Sequence, residues 1–185
     1  MSRDRAEPSA RFDPVTRVLH WVVAVAVISQ LLIAAVMVTS LFYQPLLIAI
    51  HKPLGLLILV VVIIRLINRL AHRTPAPLAT MGRFERFAAT ASEFLMYGLL
   101  LLQPLVGWAV VSASGVPVVI FGNLMLPPIA PNDAVLYGLL ERSHRLLAYA
   151  LLAVFTAHLC AVLFHTLVLR DGLFSRIALW TRRRR

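Results

Sequence analysis

Cysteine is nearly missing from this chain. Cys160 is the only one, so no disulfide can form within the molecule and no Cys-x-x-Cys metal or redox motif exists. Lysine is as scarce, with Lys52 standing alone against 17 arginines, and only 8 residues are acidic. Charged residues make up 14% of the 185, too few to clothe an ordinary soluble domain. There is no His-Glu-x-x-His, no phosphate-cradling glycine loop, no nucleophile triad and no pair of carboxylates spaced for acid–base work. No internal repeat is present, and low complexity is confined to the terminal arginines. A signal-peptide pattern is also lacking. The opening MSRDRAEPSARFDPVTR is polar, and the apolar run after it is too long for an h-region and has no small-residue cleavage site. The first apolar segment therefore reads as a retained helix.

What the chain has in abundance is apolar length. Hydrophobic residues make up 60% of it, and the mean hydropathy is +0.84. A helix crossing the hydrocarbon core needs about 20 mostly apolar residues, and four runs qualify, at about 18–42, 46–68, 88–111 and 145–168. The predicted fold class is all-α: an integral membrane four-helix bundle forming one membrane domain over 1–185. Cys160 falls inside the fourth run and reads as a small buried apolar residue.

The net charge of +10 would suggest nucleic acid in a soluble protein. Here the charge lies in the connections between apolar runs, which makes it a topology signal instead. Arg3, Arg5, Arg11 and Arg17 precede the first span. Arg69, Arg73, Arg83 and Arg86 join spans two and three, and Arg170, Arg176 and Arg182 to Arg185 follow the fourth. With four spans these all share one side. The other side offers Lys52, Arg142 and Arg145, each placed at a helix start. The positive-inside rule puts both termini in the cytoplasm, with the chain multi-pass in the membrane.

Two connecting segments have character of their own. The long 3–4 loop, 112–144, contains SASGVPVVIFGNLMLPPIAPND; its Pro and Gly break any long helix, and its apolar residues suit a lid over the outer end of the bundle. In the basic tail, 170–185, Leu173, Phe174, Ile177 and Trp180 recur at helical spacing, which suits an amphipathic segment on an anionic leaflet; a simple solvated tail is the alternative.

Six histidines stand out against this background. His72, in LAHRTPAP, lies in a polar loop and reads as solvated. His144, His158 and His165 lie on one stripe of the fourth span: the 14 residues between the first two make four turns less about 40°, a rise of about 21 Å. His20 sits near the cytoplasmic start of span one and His51 near the outer start of span two. Depth pairs His51 with His144, and His20 with either His158 or His165. Two imidazole pairs at separate depths cannot converge on one zinc ion. They suit two haem groups lodged between helices, whose iron, bound on both faces, has no open site and serves one-electron transfer. Gly55, one turn from His51 on the same face, would let a macrocycle approach the backbone. Each histidine taken singly also fits a structural or interfacial role; four at matched depths on three helices favour ligation.

These residues resemble a known family. RVLHW opens span one, IHKPLG opens span two, RLINRL precedes a Pro-containing loop, GVPVVIFGNLMLP follows span three, and SHRLLAY with AHLCAVLFH fills span four. Singly these motifs are moderately specific; as an ordered set over about residues 11 to 180 the chain is similar to the bacterial cytochrome b561 family, related to the cytochrome b subunits of nickel-iron hydrogenases. The resemblance implies two haem b groups, with His20 and His158 as axial iron ligands of the inner one and His51 and His144 of the outer one. His165 then matches a family histidine that is not a usual ligand and takes a supporting or propionate role. Lys52, Arg142 and Arg145 become propionate anchors or a funnel for an anionic donor, against lipid-headgroup contact as the plainer role.

One position departs from the pattern. Some relatives have a histidine near the start of span three where this chain has Glu93, in TASEFLMYGLL. Glu93 reads either as a proton or quinone site or as an acid favoured by the helix dipole near Arg83 or Arg86. The resemblance further implies electron transfer between an outer-face donor, superoxide in some members, and the quinone pool, with membrane lipid as the surrounding partner and no nucleic acid. A haem-carrying anchor for a partner redox enzyme is the alternative. A histidine-based proton or metal-ion transporter is a third reading, weakened by Glu93 being the sole carboxylate within the spans, and a haem-free anchoring subunit would leave the four imidazoles unexplained.

Overall fold

The computed structural model describes residues 11–72, 75–78, 80–120, 122 and 124–180. Four long helices dominate it: α1 (Pro14–Thr39), α2 (Gln44–Ala71), α3 (Arg83–Ala113) and α4 (Ala134–Leu163). All four are long and apolar enough to cross a bilayer. Only 11%, 17%, 11% and 6% of their apolar windows are buried within the protein, so lipid is the natural solvent for the rest. The large exposed side chains, such as Val25, Leu32, Ile63, Ile67 and Leu152, are those a hydrocarbon layer would cover. Cys160 belongs to this exposed face, not to the interior expected for it.

The helices outrun the apolar segments that announce them, because capping and polar residues extend each end. At α1, Asp13 accepts hydrogen bonds from Val15 N and Thr16 N, both at 2.9 Å, and Pro14 occupies the first turn, where its missing N–H costs nothing. Hydrogen bonds from the Thr16 side chain and backbone, then from Val15, hold the Asp13 carboxyl down at about 2. A depressed carboxylate stabilises the fold above its unfolded pKa, near 4, and that contribution fades as pH falls toward 2. Asp13→Ala is expected to cost about 1 kcal/mol at neutral pH. Thermal unfolding in detergent should show a lowered Tm at pH 7 and a narrower gap from wild type at pH 3.

α4 shows the largest shift. It starts at Ala134, capped by Asp133, whose carboxylate accepts from Leu136 N at 2.7 Å. Residues 134–144 are therefore helix and not loop. Arg142, His144 and Arg145 lie about two to three turns inside α4, and Lys52 about two turns inside α2, so none of them marks a helix start. What remains of the loop contains an antiparallel hairpin, β1 (Val118–Ile120) with β2 (Leu124–Leu126), registered Val118 to Leu126 and turning at Gly122, whose φ is +81°. Alternation buries Val118 and Ile120 and turns Val119 outward. Trp108 Nε1 donates to Pro127 O at 3.1 Å, and Ile129 N donates to Ser112 Oγ at 3.1 Å, which fasten the segment to the end of α3.

At the opposite end the tail folds back beneath α1 and forms no amphipathic helix. After α4 a π-helical turn covers Phe164–Leu169, Arg170 adopts a left-handed conformation (φ 51°), and a single 3-10 turn covers Phe174–Arg176. Phe12 N donates to Arg176 O at 3.1 Å, Trp21 Nε1 to Ile177 O at 3.1 Å, and Arg17 to Ala178 O at 3.2 Å. Arg176 is buried, 5% exposed, and donates to Ala76 O at 2.7 Å in the 2–3 connection. These unmet backbone carbonyls find their partners across the chain, which is why helical spacing in the tail does not become helix. Arg182 to Arg185, and Arg3 and Arg5, lie outside the described residues.

The buried core is one cluster: Val23 and Val27 of α1, Ile58 and Val62 of α2, Leu99 and Leu100 of α3, and Leu151 of α4. It sits at mid-height. In α1 it lies between His20 and Gln30, in α2 between His51 and Arg65, and in α4 between His144 and His158. A dry apolar plug thus separates two levels of polar residues. Along the bundle α1 packs against α2, α2 against α3, and α3 against α4; α1 with α4 and α2 with α4 are not among the closely packed pairs.

Candidate functional site

The histidines bridge those two open pairs. At the hairpin end His51 of α2 faces His144 of α4, with ring centres 6.2 Å apart and planes 77° from parallel. At the tail end His20 of α1 and His158 of α4 are electrostatic neighbours, and Arg65 of α2 acts on both. His165 stands apart. Its Nδ1 is hydrogen-bonded to the Asp171 carboxylate, because the left-handed Arg170 ends the helix and returns the chain toward it. The π-helical geometry beginning at Phe164 also takes it off the straight α-helical stripe drawn through His144 and His158.

Single polar residues in apolar runs support the hairpin-end pair. Gln30 Nε2 donates to His51 O at 3.1 Å, and Gln103 Nε2 donates to His144 O at 3.0 Å while lying 3.4 Å from His144 Nε2. Pro53 and Pro104, inside α2 and α3, follow His51 and Gln103 closely and each remove one backbone donor at this level. Gly107 of α3 lies against the His144 ring: a Cβ there would come within 2.9 Å of Cε1. Gly55 has ordinary room, with its nearest neighbour Gln30 Nε2 at 3.5 Å, so the tight backbone approach to a histidine is at Gly107. Gly107→Val is expected to displace the His144 ring and to alter the absorption spectrum of the purified protein, which low-temperature spectra of the variant would show.

At the tail-end level, the Arg65 guanidinium lies 5.6 Å from the centre of the Tyr97 ring, and Trp21 packs edge-on to His20 with centres 5.7 Å apart. Glu93 is ion-paired to Arg69 of α2 at 2.8 Å, not to Arg83 or Arg86. It lies nearly three turns inside α3, whose first-turn acid is Glu85. Arg142 and Arg145 are on the exposed face of α4, and Arg145 pairs with Glu141 at 2.8 Å, which offsets part of the positive charge expected around His144. Lys52 is half-buried beside His51, and His72 is exposed and bonded to the Asn68 carbonyl at the end of α2.

The fit of this arrangement to a bound group can be judged from its unmet polar atoms. Buried side-chain atoms without a partner, among the described residues, are Arg17 Nε, His20 Nδ1, Arg65 Nε, Gln30 Oε1, His51 Nδ1, Gln103 Oε1 and His144 Nδ1. Every one lies at one of the two histidine levels. A buried group left unpaired costs about 1–3 kcal/mol, so such a concentration marks places made for something else to bind. Spacing agrees. A metal–imidazole bond is about 2 Å and the ring centre lies roughly 1 Å behind the nitrogen, so two rings gripping one metal ion from opposite sides are about 6 Å apart. The 6.2 Å between His51 and His144 matches. No cluster of three or more His, Cys, Asp or Glu suited to a metal ion occurs among the described residues; a planar cofactor between paired imidazoles fits the 6.2 Å spacing.

Arg65, Gln30, Gln103, Gly107, Glu141 and Asp171 were not singled out in the sequence. For Arg65 a signal exists, since an arginine in VVVIIRLINRL is costly within a span and asks for a role. Gln30 and Gln103 give the same weaker signal. Nothing local reveals Asp171 as the partner of His165.

A membrane-spanning helical bundle that brackets paired imidazoles is a membrane redox protein of the cytochrome b kind. Comparison with known sequences gives the family: the pattern of prokaryotic cytochrome b561 matches residues 11–179. The chain is 24% identical over 173 residues to "Cytochrome b561 homolog 2" of Escherichia coli (strain K12), covering 90% of each. It is 28% identical over 162 residues to "Probable superoxide oxidase CybB" of Yersinia pestis, covering 86% of this chain and 90% of the relative. This chain belongs to the prokaryotic cytochrome b561 family, bacterial membrane proteins that bind haem b and transfer electrons.

Proposed function

We propose that the protein carries two haem b groups at two depths of a bacterial inner membrane and passes electrons between a donor at the outer face and the quinone pool. His51 and His144 are the axial ligands at the outer level, His20 and His158 those at the inner. The single observation that supports this best is the pairing of imidazoles across helices at two levels of α4 about 21 Å apart, with the His51 and His144 ring centres at 6.2 Å and His20 neighbouring His158. Bis-imidazole haem supplies a one-electron couple with no vacant coordination position. The chain's own residues do the rest. Gln30 and Gln103 fix the backbone at His51 and His144, and the apolar plug from Val23 to Leu151 keeps water from running between the levels. Arg65 places a positive charge beside the inner pair.

The arginine-rich ends support, by the positive-inside rule, an orientation with both termini in the cytoplasm and the hairpin end outward. The likeness to a probable superoxide oxidase and the basic Lys52, Arg142 and Arg145 favour an anionic donor such as superoxide. Superoxide would leave as dioxygen after giving one electron; two electrons and two protons then convert one quinone to quinol. Anaerobic mixing with quinol, and separately a superoxide-generating pulse, decides the direction. Superoxide is expected to reduce the oxidised protein faster than added quinol does. Reduction by quinol alone would transfer the assignment to the partner-enzyme anchor.

A further inference from the structure

The tail folded beneath α1 does more than close that end of the bundle. We infer that residues 171–180 position the His20 imidazole through Trp21: the tail holds the indole, and the indole holds the ring. The inference rests on the ligand assignment proposed above and adds to it a positioning residue and the segment that secures it.

The need for such support is visible at His20 itself. Its Nδ1 is buried and has no hydrogen-bond partner, so no bond at that nitrogen fixes the rotation of the ring. At the other level the His144 ring lies against the Gly107 backbone and beside the Gln103 amide. At His20 the neighbour is the Trp21 indole, with ring centres 5.7 Å apart and planes 84° from parallel, an edge-to-face contact that aromatic rings favour. Adjacent side chains on a helix point about 100° apart. The contact therefore lasts only while something keeps the indole swung toward His20.

Two groups of the tail supply that hold. The indole Nε1 donates to Ile177 O at 3.1 Å, and Phe174 meets the indole edge-on with ring centres 6.2 Å apart. His20, Trp21 and Phe174 thus form a row of rings, each nearly perpendicular to the next. A released indole has somewhere to go. An apolar groove of about 640 Å³, lined in part by Val18, Val22, Val25 and Leu179, borders it on the lipid side.

The tail is itself tied down. Gly172, with φ +82°, completes the turn that brings the chain back. Phe12 N donates to Arg176 O at 3.1 Å, Arg11 donates to the Ser175 and Ala178 carbonyls, and Arg17 shares the Ala178 carbonyl at 3.2 Å. The Arg176 guanidinium crosses to Ala76 O at 2.7 Å and lies 5.9 Å from the centre of the Phe12 ring. Most of these bonds end on main-chain carbonyls of the tail, so the place of the indole follows the tail's backbone path. Groups that orient a ligating histidine from behind matter about tenfold or more to what it binds.

The test uses the full chain, haem-loaded in detergent and oxidised, with the inner low-spin EPR signal identified as the one that His20→Ala removes. That signal reports how the axial imidazoles are rotated, which a loss of stability alone does not change. Trp21→Phe removes the donor to Ile177 and keeps a ring. Phe174→Ala removes the tail's ring, and Arg176→Met cuts the side-chain bond to Ala76. Each is expected to shift the g values of the inner signal and to speed haem loss from that level to apomyoglobin by about tenfold, with the outer signal as in wild type. Trp180→Ala, on the same tail and 85% exposed, is expected to match wild type in both readouts. An inner signal unshifted in all three variants, with haem loss unchanged, overturns the positioning role and spares the ligands. A shift in Trp21→Phe with Phe174→Ala and Arg176→Met as wild type overturns the part of the tail. An inner signal that survives His20→Ala overturns the ligand assignment itself. Should Trp21→Phe fail to fold, Phe174→Ala carries the decision.

Discussion

Alanine in place of His158 is expected, on the proposed ligation, to halve the haem content of the purified protein, from two per chain to one, and to leave the outer group's spectrum intact. His158 and His20 lie on helices that do not pack closely, so the imidazoles, and not backbone contact, define that level. Removing one would take away one of the two residues that would hold the inner haem, while the apolar plug separates that level from the pair about 21 Å away along the helix. His20→Ala is expected to reproduce the loss, and His51→Ala or His144→Ala to remove the other group instead. Because a bound cofactor stabilises only the folded form, each variant also unfolds at a lower temperature. Haem extraction against protein concentration, with low-temperature difference spectra, measures both. If His51→Ala abolished the inner signal alone, the assignment of ligands by depth would be wrong.

Arg65 is expected to set the potential of the inner couple. Its charge lies within reach of His20 and His158, deep in α2, in a medium where charge is poorly screened. Reduction adds an electron, so a nearby fixed positive charge favours the reduced state and raises the midpoint potential. A unit charge at such range contributes on the order of 1–2 kcal/mol, or roughly 40–90 mV for a one-electron couple. Arg65→Met should therefore lower the inner midpoint potential by that amount and leave the outer one within error. Arg65→Lys keeps the charge but loses the guanidinium's contact with the Tyr97 ring, so its potential should stay within about a third of that shift from wild type. Spectroelectrochemical titration of both variants checks it. An unchanged inner potential in Arg65→Met would show that the guanidinium is neutralised by a partner such as a propionate.

The sequence makes the four spans and the four histidines of the site legible because both are local properties. Apolar length announces a span, and helical rise converts residue spacing into depth without knowledge of any neighbour. Helix ends were less legible because hydropathy tracks lipid, whereas helices continue through capped polar flanks. The Asp133 cap, about twelve residues ahead of the apolar run, is the clearest case. The tail misled because its amphipathic spacing competes with long-range bonds to Arg11, Arg17 and Trp21 that no local window contains. Gln30, Gln103 and Gly107 matter through what they face across the bundle, and a single polar or small residue in an apolar run does not say what that is. The charges of Glu93 and Arg145 were visible, but their partners, Arg69 across the bundle and Glu141 one turn away, appear only when the helices are assembled.

The most direct test is the haem-to-protein ratio of the detergent-purified chain, taken with its dithionite-reduced spectrum. The proposed ligation predicts two low-spin b-type haems per chain, with neither binding carbon monoxide. A colourless preparation, a single haem per chain, or a high-spin centre that takes carbon monoxide would contradict it.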